Sequence, residues 1–107
     1  MKIAILHCRK ANEVCTGAAC LNAFNHSTKH FIQYQDNPAE LMAFCDCGGC
    51  GINRSAHKGM IEKMERLQQI GVEKIHIGVC LTEKCPDYAN IFAMLEAYKI
   101  PFEVGTH

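Results

Sequence analysis

A chain of 107 residues fits one domain and not two, and at 49% hydrophobic residues it can build a core that buries roughly two-thirds of the unfolded surface. Eleven Lys and Arg balance eleven Asp and Glu, so the formal charge is zero with His neutral. That balance argues against a nucleic-acid partner, which calls for a basic surface, and against polybasic attachment to an anionic membrane. No apolar run approaches the roughly 18–20 residues of a membrane span. The opening Met1-Lys2-Ile3-Ala4-Ile5-Leu6-His7-Cys8 has too short an apolar run for a signal peptide, so the expected setting is cytoplasmic.

In chain order, Lys2–Leu6 reads as a buried first strand that ends at His7-Cys8. Gly17 to about His26 is helix-like, with Leu21 and Phe24 on one face. Phe31–Tyr34 fits either a helix tail or a strand, and Asp36-Asn37-Pro38 is a turn. Ala39–Cys45 reads as the second strand, although its Glu, Leu, Met and Ala also suit helix. Ser55–Ile70 is an amphipathic helix in which Met60, Ile61, Met64 and Leu67 fall on one stripe, and Gly71 suits its end. Lys74–Cys80 is a third strand. Pro86 opens another helix with Ile91, Phe92, Leu95 and Tyr98 at helical spacing. Pro101 ends that helix, and Phe102–Val104 is the last strand before Gly105-Thr106-His107.

This alternation of strand and helix predicts an α/β fold: a small open, mostly parallel sheet of about four strands with helices on both faces, a three-layer arrangement of the Rossmann-like or flavodoxin-like kind. All strands of such a sheet end on one edge, where ligands of open α/β sheets bind. Nothing in the chain reads as a linker, a repeat or a second domain.

Sulfur is the anomaly. Eight Cys among 107 residues is about 7.5%, just below the level of a secreted disulfide scaffold, and six His accompany them. In a reducing compartment such clusters bind metal or do redox chemistry more often than they form bridges. Cys8 ends the first strand, Cys45, Cys47 and Cys50 close or follow the second, Cys80 ends the third, and His107 follows the fourth. Cys15 and Cys20 lie shortly after Cys8, and Cys85 after Cys80. All nine therefore gather at the carboxyl-terminal edge of the predicted sheet. Cys47-Gly48-Gly49-Cys50 is a C-x-x-C pair, whose spacing lets two sulfurs reach one ion and whose glycines permit the tight turn. Cys15 to Cys20 and Cys80 to Cys85 are looser pairs of equal spacing.

The run Cys47-Gly48-Gly49-Cys50, with Cys8, Cys15 and Cys20 before it and Cys80, Cys85-Pro86 and Gly105-Thr106-His107 after it, resembles the CGGC domain family over essentially the whole chain. The resemblance implies a metal-binding role, with zinc inferred from the family's many Cys and His. It places Cys8, Cys15, Cys20, Cys47, Cys50, Cys80, Cys85 and His107 at motif positions. Cys45 lies outside the motif and is a candidate only by its place in the C-x-C-x-x-C run. Where family members often carry Pro after the second motif Cys, this chain has Gly51, from which a looser turn is expected.

Each candidate has a plainer alternative. Cys8, Cys45 and Cys80 could pack as small apolar side chains at strand ends. His7 and His76 sit inside strands, as core or surface residues do. His26 and His30 are four apart on a polar stretch and read as a solvated face. His57 could complete a Cys-rich site. Arg9, Lys10, Arg54, Lys58 and Lys84 could offset thiolate charge or be ordinary surface charge. Position 14 is Val, where a phosphatase-type loop after Cys8 would need Arg, and no phosphate-binding, dinucleotide or zincin motif is present.

Three functions compete. The first is zinc held by thiolates, with or without His107, in a structural, storage or delivery role. The second is an iron–sulfur redox protein, since the same soft ligands suit a cluster. The third is a thiol–disulfide oxidoreductase using Cys47 and Cys50, disfavoured because the next helix starts well past the pair. The metal ion is the one partner the sequence specifies, and neither a protein partner nor a catalytic residue can be assigned from it.

Overall fold

Four aliphatic-rich runs, Lys2–His7 (β1), Glu40–Asp46 (β2), Lys74–Ile77 (β3) and Phe102–Val104 (β4), pair as one parallel sheet in the order β2-β1-β3-β4. The computed structural model describes all 107 residues. β1 is flanked on both sides, and Ile3 to His7 are all buried, as a central parallel strand requires. Register aligns the strand ends: Leu6 lies opposite Cys45 on one side and Ile77 on the other, and Ile77 lies opposite Val104.

The helices are Ala18–Asn25 (α1), Lys58–Gln69 (α2), Val79–Lys84 (α3) and Tyr88–Ala97 (α4). From β1 to β2 the chain moves one way along the sheet. From β2 to β3 and on to β4 it moves the other way. With crossovers of one hand, that reversal puts α1 on one face and α2 to α4 on the other. The two cores match this division. Met60, Met64, Leu67, Leu81, Ile91 and Leu95 pack on Ala4, Leu6, Ile75 and Ile77. Cys20, Ala23, Phe31 and Tyr34 pack on Ile3 and Ile5. The α/β three-layer fold expected from the sequence is the one observed.

Several local expectations need correction. The third strand stops at Ile77, and Cys80 lies in the first turn of α3. The Gly78 N–H still bonds to Leu6 O and the Gly105 N–H to Ile77 O, and the chain turns into α3 directly afterwards, at Val79. Pro86 closes α3 rather than opening α4: it holds Cys85 in an extended conformation, as a residue before proline prefers, and α4 begins two residues later at Tyr88. Phe31–Tyr34 is neither helix tail nor strand but part of a 3-10 helix over Lys29–Tyr34, which buries both aromatic rings three residues apart. α2 begins at Lys58, capped by His57, whose Nδ1 accepts the Met60 N–H at 3.2 Å. In α1 the buried pair is Cys20 and Ala23, with Leu21 and Phe24 half-buried beside it. No helix is long and apolar enough to cross a membrane.

Candidate metal centre

The strand order reverses between β1 and β3, and sheets of this kind bind ligands in the crevice at such a point. Cys8 and Cys80 meet there. The Cys8 N–H donates to Cys80 Sγ at 3.2 Å. The chain after β1 then turns so that the Ala11 N–H reaches Cys8 Sγ at 3.4 Å and the Arg9 N–H reaches Cys47 Sγ at 3.5 Å. A little further on, the Gly17 N–H donates to Cys15 Sγ at 3.4 Å. Four sulfurs on one edge thus accept main-chain N–H groups.

A second group forms where α1 begins. Cys20 Sγ lies 3.2 Å from Thr106 Oγ1 and 3.6 Å from His107 Nδ1, and those two atoms are themselves 3.2 Å apart. Thr106 is fully buried, so the segment after β4 is packed down rather than frayed. This part of the site was only partly legible: Gly105-Thr106-His107 stood out as a motif, but nothing marked Thr106 as the residue that touches sulfur.

The Cys47–Cys50 turn is held from behind. Gly48 and Gly49 both adopt left-handed backbone (φ +87° and +117°), and a Cβ at Gly48 would come within 2.7 Å of Met60 Sδ. Only glycine suits that position. Arg54 is 1% exposed, and its guanidinium donates to Cys47 O (3.0 Å), Gly49 O (2.7 Å) and Asn90 Oδ1 (3.1 Å), with Asp87 Oδ2 at 3.9 Å. Asp87 also accepts the Gly51 N–H at 2.8 Å. A proline at 51 has no such N–H, so the turn here is tied to α4 rather than loosened as expected. Arg54 is a clasp for the turn. The sequence placed Arg54 among the charges flanking the sulfurs but did not show it buried beneath the turn, because a fully buried arginine has no local signature.

Burial pushes the Cys80 thiol up, the Cys8 N–H pulls it back, and the neighbouring Cys8, Cys20 and Cys15 push it up again. Burial also raises Cys85, with Cys47 adding to the rise. Cys80 thus has Cys8, Cys15 and Cys20 for neighbours, and Cys85 has Cys47. Cys45 stands apart inside β2, packed on the α2 side, and burial pushes it up to about 11. Cys50 is exposed. All eight cysteines are free thiols, and no three His, Cys, Asp or Glu side chains stand in metal-ligating geometry. With α2 starting at Lys58, no helix end lies directly after Cys50.

The remaining histidines fall into place one by one. His57 is a helix cap, and His26 bonds back to Asn22 O at 2.9 Å. His30 is exposed beside Glu103. His7 is buried and stacked on Phe44 at 4.3 Å between ring centroids, and its Nδ1 has no partner.

Residues 2–107 match the CGGC domain family. The chain belongs to that family. A protein of Methanocaldococcus jannaschii whose function is uncharacterised is 36% identical over 118 aligned positions, which cover all of this chain and 87% of that protein. No solved structure matches the chain. The family is cysteine-rich and associated with metal binding, and in this CGGC domain the sulfurs of the motif lie along one edge of the sheet.

Proposed function

We propose that this CGGC domain binds a metal ion through thiolates at the carboxyl-terminal edge of its sheet, zinc before any other, in a structural, storage or delivery role. The observation that carries the reading is the set of four main-chain N–H groups directed at Cys8, Cys15, Cys47 and Cys80. At Cys80 burial disfavours the thiolate and the Cys8 N–H opposes that effect.

The donor set also suits the ion. Sulfur at about 2.3 Å and imidazole nitrogen at about 2.0–2.1 Å from a tetrahedral zinc stand about 3.5 Å apart, and Cys20 Sγ and His107 Nδ1 are 3.6 Å apart. Four donors drawn from Cys8, Cys15, Cys20, Cys80 and His107 would hold the ion. Cys47 and Cys85, with Cys50 beside them in sequence, are left for a second ion or for ligand exchange, and Cys45 serves packing. Zinc held this way supplies a redox-inert link between β1, α1 and the segment after β3. A reducing, cytoplasmic setting would keep the thiols available.

An iron–sulfur cluster is the second reading, since N–H bonds to sulfur also tune clusters. Metal analysis and an absorption spectrum, on protein purified without oxygen and without added metal, separate the two. One or two equivalents of zinc per chain with no visible band are expected. Iron with labile sulfide would move the assignment to redox chemistry. Protein that is metal-free and takes up no stoichiometric zinc under reducing conditions would overturn the metal reading.

A further inference from the structure

We propose that His76, absent from the motif, is the positioning residue that holds His107 against Cys20. His76 is completely buried in β3. Its Nδ1 lies 3.1 Å from Gly105 O and its Nε2 2.7 Å from Tyr34 Oη. A carbonyl only accepts, so Nδ1 carries the proton. Nε2 is then bare and accepts from the Tyr34 hydroxyl. Glu103 Oε2 is 3.8 Å from Nδ1 but is already engaged by Gln33 Nε2 at 2.9 Å, while Lys74 Nζ takes the other oxygen at 3.4 Å. The Phe31 ring, 4.7 Å away between centroids, closes the remaining side.

The other end of this relay is the segment after β4. The Gly105 N–H donates to Ile77 O at 2.8 Å, and its carbonyl accepts from His76, so both peptide groups flanking its Cα are fixed. Its backbone is left-handed (φ +114°), and a Cβ there would overlap the His30 ring. With Gly105 locked, Thr106 is directed inward onto Cys20 and His107 follows at 3.6 Å. The chain of bonds runs from Tyr34 through His76 and Gly105 to the sulfur. Its consequence for ligation rests on the metal reading above, whereas the clamp itself is a property of the metal-free protein.

Two substitutions separate positioning from mere packing. In His76→Asn the amide nitrogen takes the place of Nδ1–H and can still donate to Gly105 O. In His76→Gln the amide reaches instead toward Tyr34. Each variant keeps one of the ring's two hydrogen bonds, so a purely structural role predicts equal effects. The clamp predicts that nuclear Overhauser contacts from the His107 ring to Thr106 and Cys20, measured without metal, persist in His76→Asn and vanish in His76→Gln. In cadmium-113 spectra, His76→Gln should shift with His107→Ala, while His76→Asn should match the unsubstituted protein. Equal behaviour of the two variants would overturn the proposal. So would a nitrogen-15 spectrum of the unsubstituted protein showing His76 protonated at Nε2, a readout that depends on no variant folding. Failure of the unsubstituted protein to take up cadmium would count against the metal reading, and the contacts in metal-free protein would still decide the clamp.

Discussion

The main-chain N–H of Cys8 donates to the sulfur of Cys80 at 3.2 Å, and this contact spans the point where the strand order reverses. The two residues are 72 positions apart. They meet because β1 and β3 are neighbours in register, Leu6 opposite Ile77, and the chain leaves both strands on the same edge. A cysteine that would otherwise be a small apolar plug is given a donor suited to its thiolate.

That relationship separates ligands from packing residues. Cys80→Ser should lose most of the zinc bound by the unsubstituted protein. Cys45→Ser should keep it, because Cys45 faces the α2 core rather than the sulfur edge. Metal content per folded chain, determined after desalting under reducing conditions, checks both. Full occupancy in Cys80→Ser would remove that residue from the ligand set.

Gly48→Ala should destabilise the protein by at least about 1–2 kcal/mol, the usual cost of left-handed backbone at a residue with a Cβ. Displacement of Met60, whose Sδ would lie 2.7 Å from that Cβ, adds to it. Urea unfolding should show a lower midpoint at unchanged slope.

Arg54→Met should cost about 3 kcal/mol, because the carbonyls of Cys47 and Gly49 lose charged donors and Asp87 loses its cation. Arg54→Lys should not rescue it, since a point charge does not reproduce a planar fork spread over three acceptors. Hydrogen exchange in residues 47–51 should accelerate in both variants.

Stability of the metal-free protein should be greatest between about pH 6.5 and 9. Burial holds His7 and His76 below their ordinary 6.5, so the unfolded chain binds more protons below that value and stability falls as acid is added. Asp46, held low by the Lys63 ammonium at 2.8 Å and by the Gly48 N–H against the opposing effect of burial, contributes a further loss at still lower pH, as it is protonated in its turn. On the alkaline side, Cys45 ionises in the unfolded chain near 9.0 but in the folded one only at about 11. Its share, about 2–3 kcal/mol at about 1.4 kcal/mol per unit, is lost as pH rises across that span. Urea midpoints measured across the pH range test each limb.

Much of this architecture is legible in the residues themselves. Apolar runs such as Ile3 to Leu6 and the stripe of Met60, Met64 and Leu67 mark strand and helix, because burial along one element follows its own period. The alternation of the two then dictates a parallel sheet, and a parallel sheet brings all its strand ends, with their cysteines, to one edge. The differences lie at element ends: Cys80 is in α3 rather than β3, and Cys85 is held extended by the proline that follows it.

The sequence by itself determined the layers, the edge and the family to which the cysteines belong. Only the tertiary structure decided which sulfurs face which donors, that Arg54 is buried beneath the Cys47–Cys50 turn, and that His76 reaches the segment carrying His107. Those contacts join residues 2 to 72 positions apart. They depend on strand register and loop path to within a few tenths of an ångström, and no periodicity within a single element encodes either.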